Sequence, residues 1–247
     1  MHLTDRVHLV GSGQSGADIS NPYDCHIYLV DGGNSLGLVD AGAGIQPDLI
    51  LKNINEAGFD PNNIEKIVLT HAHADHAGGA ASLQEVSGAE VLAPGPSATW
   101  LVQADETAIS LPRARAGGTY PTDYRLKPCA EVTSLADGDI IQIGDSRLET
   151  IATSGHAAAH VSFLLDDSNE SGLFGGDVVF QNGKILLLAT PDCSIQALIA
   201  SMRRLSKLDF DALFPGHGGI SLHRGHRHVD AALRIFDAGR IPPNYEV

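Results

Sequence analysis

The chain has 247 residues, with 16 basic and 30 acidic side chains and a formal net charge of −14. This length allows one large α/β domain with a full core, and the acidic balance disfavours nucleic acid as a partner. No apolar run approaches the roughly 18–20 residues that cross a bilayer, so no membrane partner is expected.

The cysteines and the amino terminus indicate in which cellular compartment the protein is expected. Cys25, Cys129 and Cys193 are scattered and form no CxxC pair, which favours reduced thiols in a cytoplasm. The first residues lack a basic region followed by an apolar one, which argues against a secretory signal. We therefore expect a cytoplasmic protein.

Short apolar runs separated by glycine predict three strands near the amino terminus, over residues 7–10, 26–30 and 36–39, the last two joined by a hairpin turn. A helix is predicted from Pro47, which suits a first helical turn, to Gly58, which suits a stop. A strand over residues 67–69 and a helix over residues 80–86 follow.

Residues 97–128 differ from the rest of the chain. The first part, to residue 111, is predicted to be helical, and the remainder has no period and is predicted as a long loop. Trp100, Tyr120 and Tyr124 occur here with three arginines, an arrangement suited to an acyl or aromatic group that carries a carboxylate. We therefore predict a lid or substrate loop, with an ordinary surface loop as the alternative.

The second half resembles the first in plan. Strands are predicted over residues 140–143, 148–152, 161–165, 173–174, 185–188 and 212–214. One helix carries apolar residues from 195 to 205, and a last helix ends at Gly239. The basic run from His223 to His228 is predicted to be a solvated helix start. We predict a single domain, residues 1–247, with two β-rich, helix-flanked halves.

A dense group of metal-ligand side chains follows the predicted strand at residues 67–69. His71, His73, Asp75 and His76 lie within six residues. A structural zinc site usually draws only a pair of ligands from one segment. Four metal-capable side chains on one turn therefore indicate two metals and a hydrolase.

Three later segments each carry a metal-capable side chain after glycine: His156, Asp177 and His217. Glycine lets backbones approach closely around a compact centre. The seven candidates suit two ions that share a bridging carboxylate, for which the Gly-Gly context favours Asp177 over Asp139 and Asp145. His160 is predicted to be a hydrogen-bonded structural histidine rather than a ligand.

Taken in order, these segments resemble the metallo-β-lactamase superfamily. The resemblance covers nearly the whole chain and is carried by Val39-Asp40-Ala41-Gly42, the THAHADH turn at 70–76, SGH at 154–156, GGD at 175–177 and PGHG at 215–218. It implies an α/β fold, a four-layer αββα sandwich of two mixed β-sheets flanked by helices.

The resemblance also implies a role for each ligand. His71, His73 and His156 would hold the first metal, Asp75, His76 and His217 the second, and Asp177 would bridge them. Asp40 would orient a ligand imidazole. A metal-bridging hydroxide would be the nucleophile, with Asp75 and Asp177 as the catalytic carboxylates. Zinc is the predicted metal; iron and manganese fit the same ligands.

Two features narrow the branch of the superfamily. Asp177 stands where the zinc β-lactamases usually lack a bridging carboxylate, which disfavours lactam opening. Residues 153–160 resemble the TPGH(T/S)xGH stretch of glyoxalase II-like thioesterases, with differences at Ser154, Ala157 and Ala159. The basic, tyrosine-bearing segment that binds glutathione in that branch is absent. The resemblance therefore implies a glyoxalase II-like or lactonase-like hydrolase of a small ester, thioester or lactone.

Other functions on the same fold stay open. A mononuclear-iron persulfide dioxygenase would use only part of the ligand set, so Asp75, His76 and His217 weigh against it. A β-lactam or phosphodiester hydrolase and a non-catalytic metal-binding module are further alternatives. The expected partner is a small-molecule substrate, and a homodimer is left open.

Overall fold

The computed structural model describes residues 1–167 and 170–246, and the chain divides into two compact units. Unit 1 contains Met1–Leu135 with Ile143–Asp145, and unit 2 contains Ala136–Gln142 with Ser146–Val247. Each unit has helices and its own buried apolar core.

Unit 1 is built on a six-stranded mixed sheet. Strands β1 to β3 pair antiparallel and β3 to β6 pair parallel, in chain order. The strands are β1 Val7–Gly11, β2 Ile27–Asp31, β3 Leu36–Val39, β4 Ile64–Val68, β5 Glu90–Pro94 and β6 Thr133–Leu135. The helices are α1 Pro47–Glu56, α2 Ala74–Ala77, α3 Ala80–Ser87, α4 Ser97–Gln103 and α5 Leu111–Ala116, with a 3-10 turn at Pro61–Asn63.

The parallel register of β3 and β4 brings together the residues that follow the two strands. Val39 is paired with Val68, so the two strands end side by side. The chain leaves β3 at Asp40 and leaves β4 towards Thr70, and the Asp40 amide donates to the Val68 carbonyl at 2.9 Å. Polar side chains that follow the two strands therefore meet at one edge of the sheet.

Unit 2 contains a five-stranded mixed sheet of order β11-β10-β9-β8-β7, in which β8, β9 and β10 pair antiparallel and β10 and β11 pair parallel. The strands are β7 Ile140–Ile143, β8 Ser146–Ala152, β9 Val161–Asp167, β10 Glu170–Gly176 and β11 Ala212–Pro215. The helices are α6 Ile195–Leu205 and α7 His226–Asp237, with a 3-10 turn at Gln181–Gly183. Leu198 and Met202 of α6 pack in the core with Val229 of α7.

The α/β class with two mixed sheets and flanking helices is confirmed, and several predicted elements are corrected. Residues 185–188 form no strand; Ile185 makes only an isolated bridge, to Asn244 near the carboxyl terminus. Strands β5 and β6 were not predicted. Within the described residues, every helix is too short or too polar to cross a membrane.

The segment at residues 97–128 is more structured than predicted. Helix α4 ends at Gln103 because Ala104 takes a left-handed conformation, and α5 lies in the predicted loop. Its Pro112 is in the first turn, where a helix tolerates proline because the missing N–H has no intrahelical acceptor there. The lid function of residues 97–128 stays a prediction.

The prediction of a solvated helix start for the basic run from His223 to His228 is wrong at His228. Helix α7 begins at His226, but the His228 ring is buried. Its Nδ1 accepts from the Asn182 amide at 2.9 Å, and its Nε2 donates to the Ser221 hydroxyl at 2.7 Å. This histidine holds the 3-10 turn of unit 2 and is not part of a solvated face.

Candidate metal centre

The four candidate ligands of unit 1 lie between the end of β4 and the short helix α2. His71 and His73 are on the connecting turn, and Asp75 and His76 are in α2. His71 and His76 are fully buried, and their ring centroids are 4.1 Å apart. The Nε2 atom of His71 is 3.0 Å from Nδ1 of His73. The turn therefore brings the three imidazoles together within unit 1.

Asp40 organises this turn from the end of β3. It is buried and accepts hydrogen bonds from the Thr70 amide and from His76 Nδ1, both at 2.8 Å. The Thr70 hydroxyl also donates to Asp40, with Oγ1 2.9 Å from Oδ2. Because Nδ1 of His76 donates its proton to Asp40, its Nε2 is the unprotonated nitrogen, and it lies 3.5 Å from Asp75 Oδ2. A carboxylate on the distal nitrogen is how proteins usually orient a metal-binding imidazole.

Tyr120 contacts Asp75 at two points. The Asp75 amide donates to the phenol oxygen at 3.1 Å, and the phenol donates to Asp75 Oδ1 at 3.0 Å. Burial, reinforced by the charge of Asp75, raises the pKa of Tyr120, so the hydroxyl stays protonated at neutral pH. The neighbouring Tyr124 instead donates to the Ala43 carbonyl at 2.8 Å.

These contacts change the interpretation of residues 97–128. Tyr120 and Tyr124 are buried in the core of unit 1, and Arg115 forms an ion pair with Glu106 at 2.6 Å. All three side chains therefore make contacts inside unit 1. Sequence reasoning noted both tyrosines as substrate contacts and missed that Tyr120 reaches a candidate ligand.

Cys25 was also missed as a neighbour of the site. Its sulfur, a carboxylate oxygen of Asp40 and a ring nitrogen of His76 all lie within 4.8 Å of one another. Burial raises the pKa of this thiol, which favours the protonated form. Cys25, Cys129 and Cys193 form no disulfide in the structure, and the reduced state in the cell stays a prediction.

The three candidate ligands of unit 2 follow the ends of β8, β10 and β11. Because β10 and β11 are parallel, Asp177 and His217 leave the sheet at the same edge. Nε2 of His217 and Nε2 of His156 are each 3.6 Å from Asp177 Oδ2. Oδ2 of Asp177 therefore lies close to both candidate imidazoles of this unit.

Backbone groups of unit 2 fix these side chains. His156 Nδ1 donates to the Leu186 carbonyl at 3.0 Å, which leaves its Nε2 lone pair facing Asp177. The Asp177 amide donates to His160 Nε2 at 3.2 Å, and His160 Nδ1 contacts the Thr153 hydroxyl at 2.9 Å. Both nitrogens of His160 are thus hydrogen-bonded, as predicted for a structural histidine.

Gly155 is required where the loop before His156 passes helix α6. Its φ is +148°, and a Cβ there would lie 2.5 Å from Leu198 Cα. We expect Gly155→Ala to lower the free energy of unfolding by about 3–5 kcal/mol, from backbone strain and collision together. Urea unfolding measures this.

Gly138 provides the matched control for this prediction. It also belongs to unit 2 and has a positive φ of +83°, but an added Cβ would meet nothing within 4 Å. Gly138→Ala should therefore cost only the strain, about 1–2 kcal/mol. Equal losses in the two variants would refute the close approach of Gly155 to α6.

The spacing of these atoms fits divalent cations. A tetrahedral zinc ion with bonds of about 2.0–2.2 Å to nitrogen and oxygen sets its ligand atoms roughly 3.4 Å apart. The nitrogen-to-carboxylate distances are 3.5 Å from His76 to Asp75 and 3.6 Å from His156 and His217 to Asp177. Imidazole and carboxylate are also the ligands that zinc, iron and manganese accept. The residues of each unit therefore fit a divalent metal.

The fold and these ligand segments define a known class. The profile of the metallo-beta-lactamase superfamily matches residues 20–217, a range that contains all seven candidates. The chain belongs to the metallo-β-lactamase superfamily.

Curated relatives match over most of the chain. Acyl-coenzyme A thioesterase MBLAC2 of Homo sapiens is 30% identical over 210 residues, which cover 78% of this chain and 72% of that protein. Lactamase-like protein aptB of Emericella nidulans is 27% identical over 88% of this chain, and the match spans only 58% of its own length. Hydroxyacylglutathione hydrolase of Cereibacter sphaeroides is 28% identical, covering 78% of this chain and 63% of that protein.

Solved structures share the fold. A metallo-β-lactamase of Cronobacter sakazakii superposes with a TM-score of 0.73 over 97% of this chain and 96% of its own, at 20% identity. BJP-1, a subclass B3 metallo-β-lactamase of Bradyrhizobium japonicum, gives a TM-score of 0.71 over 97% and 91%, at 19% identity. Identity this low shows a common fold only.

Proposed function

We propose that the protein is a metal-dependent hydrolase of a small thioester, ester or lactone, with two divalent cations held by the seven candidate ligands. The observation that carries the proposal is the orientation of the imidazoles. His76 and His156 each donate one ring N–H to a buried acceptor and turn the other nitrogen toward a carboxylate. Such preset tautomers are typical of metal ligands.

The proposed ligand assignment follows the superfamily. The first ion would be held by His71, His73 and His156, and the second by Asp75, His76 and His217, with Asp177 shared. Zinc is the metal we propose for both. Asp40 would fix the tautomer and direction of His76, as its hydrogen bond indicates.

The chemistry divides between the ions and the chain. Two divalent cations held by these residues would supply an acidified water as the nucleophile and a Lewis acid for the substrate carbonyl. Asp177, shared by the two ions, would fix their positions relative to one another. Asp75 would accept the proton that the attacking water releases.

A thioester is the first choice among the substrates. Three relatives carry names that point there: the human acyl-coenzyme A thioesterase, thioesterase pkgB of Emericella nidulans and hydroxyacylglutathione hydrolase. The glutathione-binding segment is absent from this sequence, so we favour a thioester with another leaving thiol, such as an acyl-coenzyme A.

A substrate panel tests this proposal. Protein of known metal content is assayed with acyl-coenzyme A esters, acyl-glutathiones, lactones, β-lactams and phosphodiesters. We expect the highest kcat/KM on an acyl-coenzyme A ester, and loss of that activity in His71→Ala. A preference for a β-lactam or a phosphodiester, or no acyl turnover by the fully metal-loaded protein, would overturn the assignment.

A further inference from the structure

The hydroxyl of Tyr120 contacts Asp75, and packing of the ring in the core does not require this contact. The residue is buried in unit 1, where its ring stacks on Tyr124 with centroids 5.2 Å apart. Phenylalanine would fill the same space. The hydroxyl, by contrast, both accepts from the Asp75 amide and donates to Asp75 Oδ1.

Asp75 needs an external restraint. It lies in α2, a helix of only four residues, and its side chain retains 17% of its exposure. A carboxylate in such a short helix can take several rotamers. The phenol of Tyr120 selects one of them, because its two hydrogen bonds fix the backbone and the side chain of Asp75 together.

The selected rotamer suits a ligand of the second ion. With Oδ1 bonded to Tyr120, Oδ2 faces His76 Nε2 at 3.5 Å. That separation is close to the roughly 3.4 Å expected for two ligands on one tetrahedral cation. His76 is itself fixed by Asp40 at its other nitrogen. Each of the two neighbouring ligands thus has a protein partner on the side away from the ion.

We propose that Tyr120 is a positioning residue that holds Asp75 in the rotamer that binds the second metal ion. The inference rests on the proposed function, since it takes Asp75 as a ligand. It gives residues 97–128 a role in building the metal centre, in addition to any contact with substrate. Removal of the phenol oxygen of Tyr120 is therefore expected to weaken metal binding at one of the two sites only.

Zinc affinity of the metal-free protein tests this without relying on turnover. A chromophoric chelator competes for zinc with the wild type and with Tyr120→Phe, and the two stepwise affinities are extracted. We expect Tyr120→Phe to weaken one zinc by about 10-fold to 100-fold, the usual effect of removing a contact to a metal ligand, and to leave the other unchanged.

Tyr124→Phe is the matched control. Tyr124 lies in the same segment and stacks on Tyr120, and its substitution also removes a hydrogen bond of a buried phenol. The acceptor of that bond is the Ala43 carbonyl and not a candidate ligand. We expect both of its zinc affinities to equal those of the wild type. Unchanged affinity in Tyr120→Phe, or equal weakening in both variants, would overturn the inference.

A double-mutant cycle separates positioning from a general loss of structure. In an Asp75→Ala background, Tyr120→Phe should have no further effect on either zinc affinity, because the group it positions is gone. A persistent effect would show that Tyr120 acts by another route and would refute the proposal. A wild type that binds no zinc would instead refute the proposed function, and the inference with it.

Discussion

Asp177→Ala is expected to lower the bound metal from about two ions per chain to one or fewer and to reduce kcat/KM by more than about 100-fold. Oδ2 of Asp177 lies 3.6 Å from Nε2 of both His156 and His217. Contacts one step removed from a metal are already worth about 10-fold to 100-fold, so loss of a shared ligand should exceed that. Elemental analysis after gel filtration and steady-state kinetics measure the two effects.

Asp139→Ala is the control for this variant. Asp139 belongs to the same unit and was the rival candidate in the sequence, but it is exposed and accepts a turn hydrogen bond from the Ala136 amide at 2.7 Å. We expect its metal content and kcat/KM to match the wild type. Full activity in Asp177→Ala would show the bridging assignment to be wrong.

Asp40→Ala should produce the second large effect, on stability. The buried carboxylate accepts from the Thr70 amide and from His76 Nδ1 and contacts the Thr70 hydroxyl. Removing it leaves buried donors without an acceptor, each costing about 1–3 kcal/mol. We expect the free energy of unfolding to fall by about 3–5 kcal/mol, in the range found when one partner of a buried pair is removed. Urea unfolding of the metal-free protein measures this.

Asp60→Ala controls for the removal of a hydrogen-bonding aspartate in the same unit. Asp60 accepts from the Asn62 amide at 2.9 Å, but it is exposed, so water replaces the lost acceptor. The cost should be about 1 kcal/mol or less. Comparable losses in Asp40→Ala and Asp60→Ala would contradict the organising role of Asp40.

The strands that carry the candidate ligands could be predicted because their signal is local. An apolar run followed by a turn with metal-capable side chains occurs at residues 67–76, and glycine precedes His156, Asp177 and His217. Chain order then matched a family pattern. Neighbouring residues indicated the candidates, and the family resemblance supplied a role for each of them.

The contacts that orient the candidate ligands could not be predicted, because they join distant residues through irregular backbone. Tyr120 reaches Asp75 across 45 positions, and His156 is held by a main-chain carbonyl, that of Leu186, which no side-chain pattern reveals. Leu186 follows Ile185, whose backbone partners are Pro243 and Tyr245 rather than a sheet. Such acceptors are set by tertiary packing.

Strands β5 and β6 were not predicted, for a related reason. Strand β6 has only three residues and lies at the edge of the sheet of unit 1, and β5 ends in Pro94. Proline is unfavourable inside a strand but is tolerated at its end or at an edge. Pairing with neighbours, which the local sequence does not encode, stabilises both.

Metal content measured together with chelation and restoration of activity tests the central claim most directly. The purified protein should contain about two divalent ions per chain, predominantly zinc. Exhaustive chelation should reduce thioester turnover to background, and added zinc should restore it. Turnover that survives removal of all metal would contradict the account, and a single iron ion with oxygen uptake on a persulfide would favour a dioxygenase in its place.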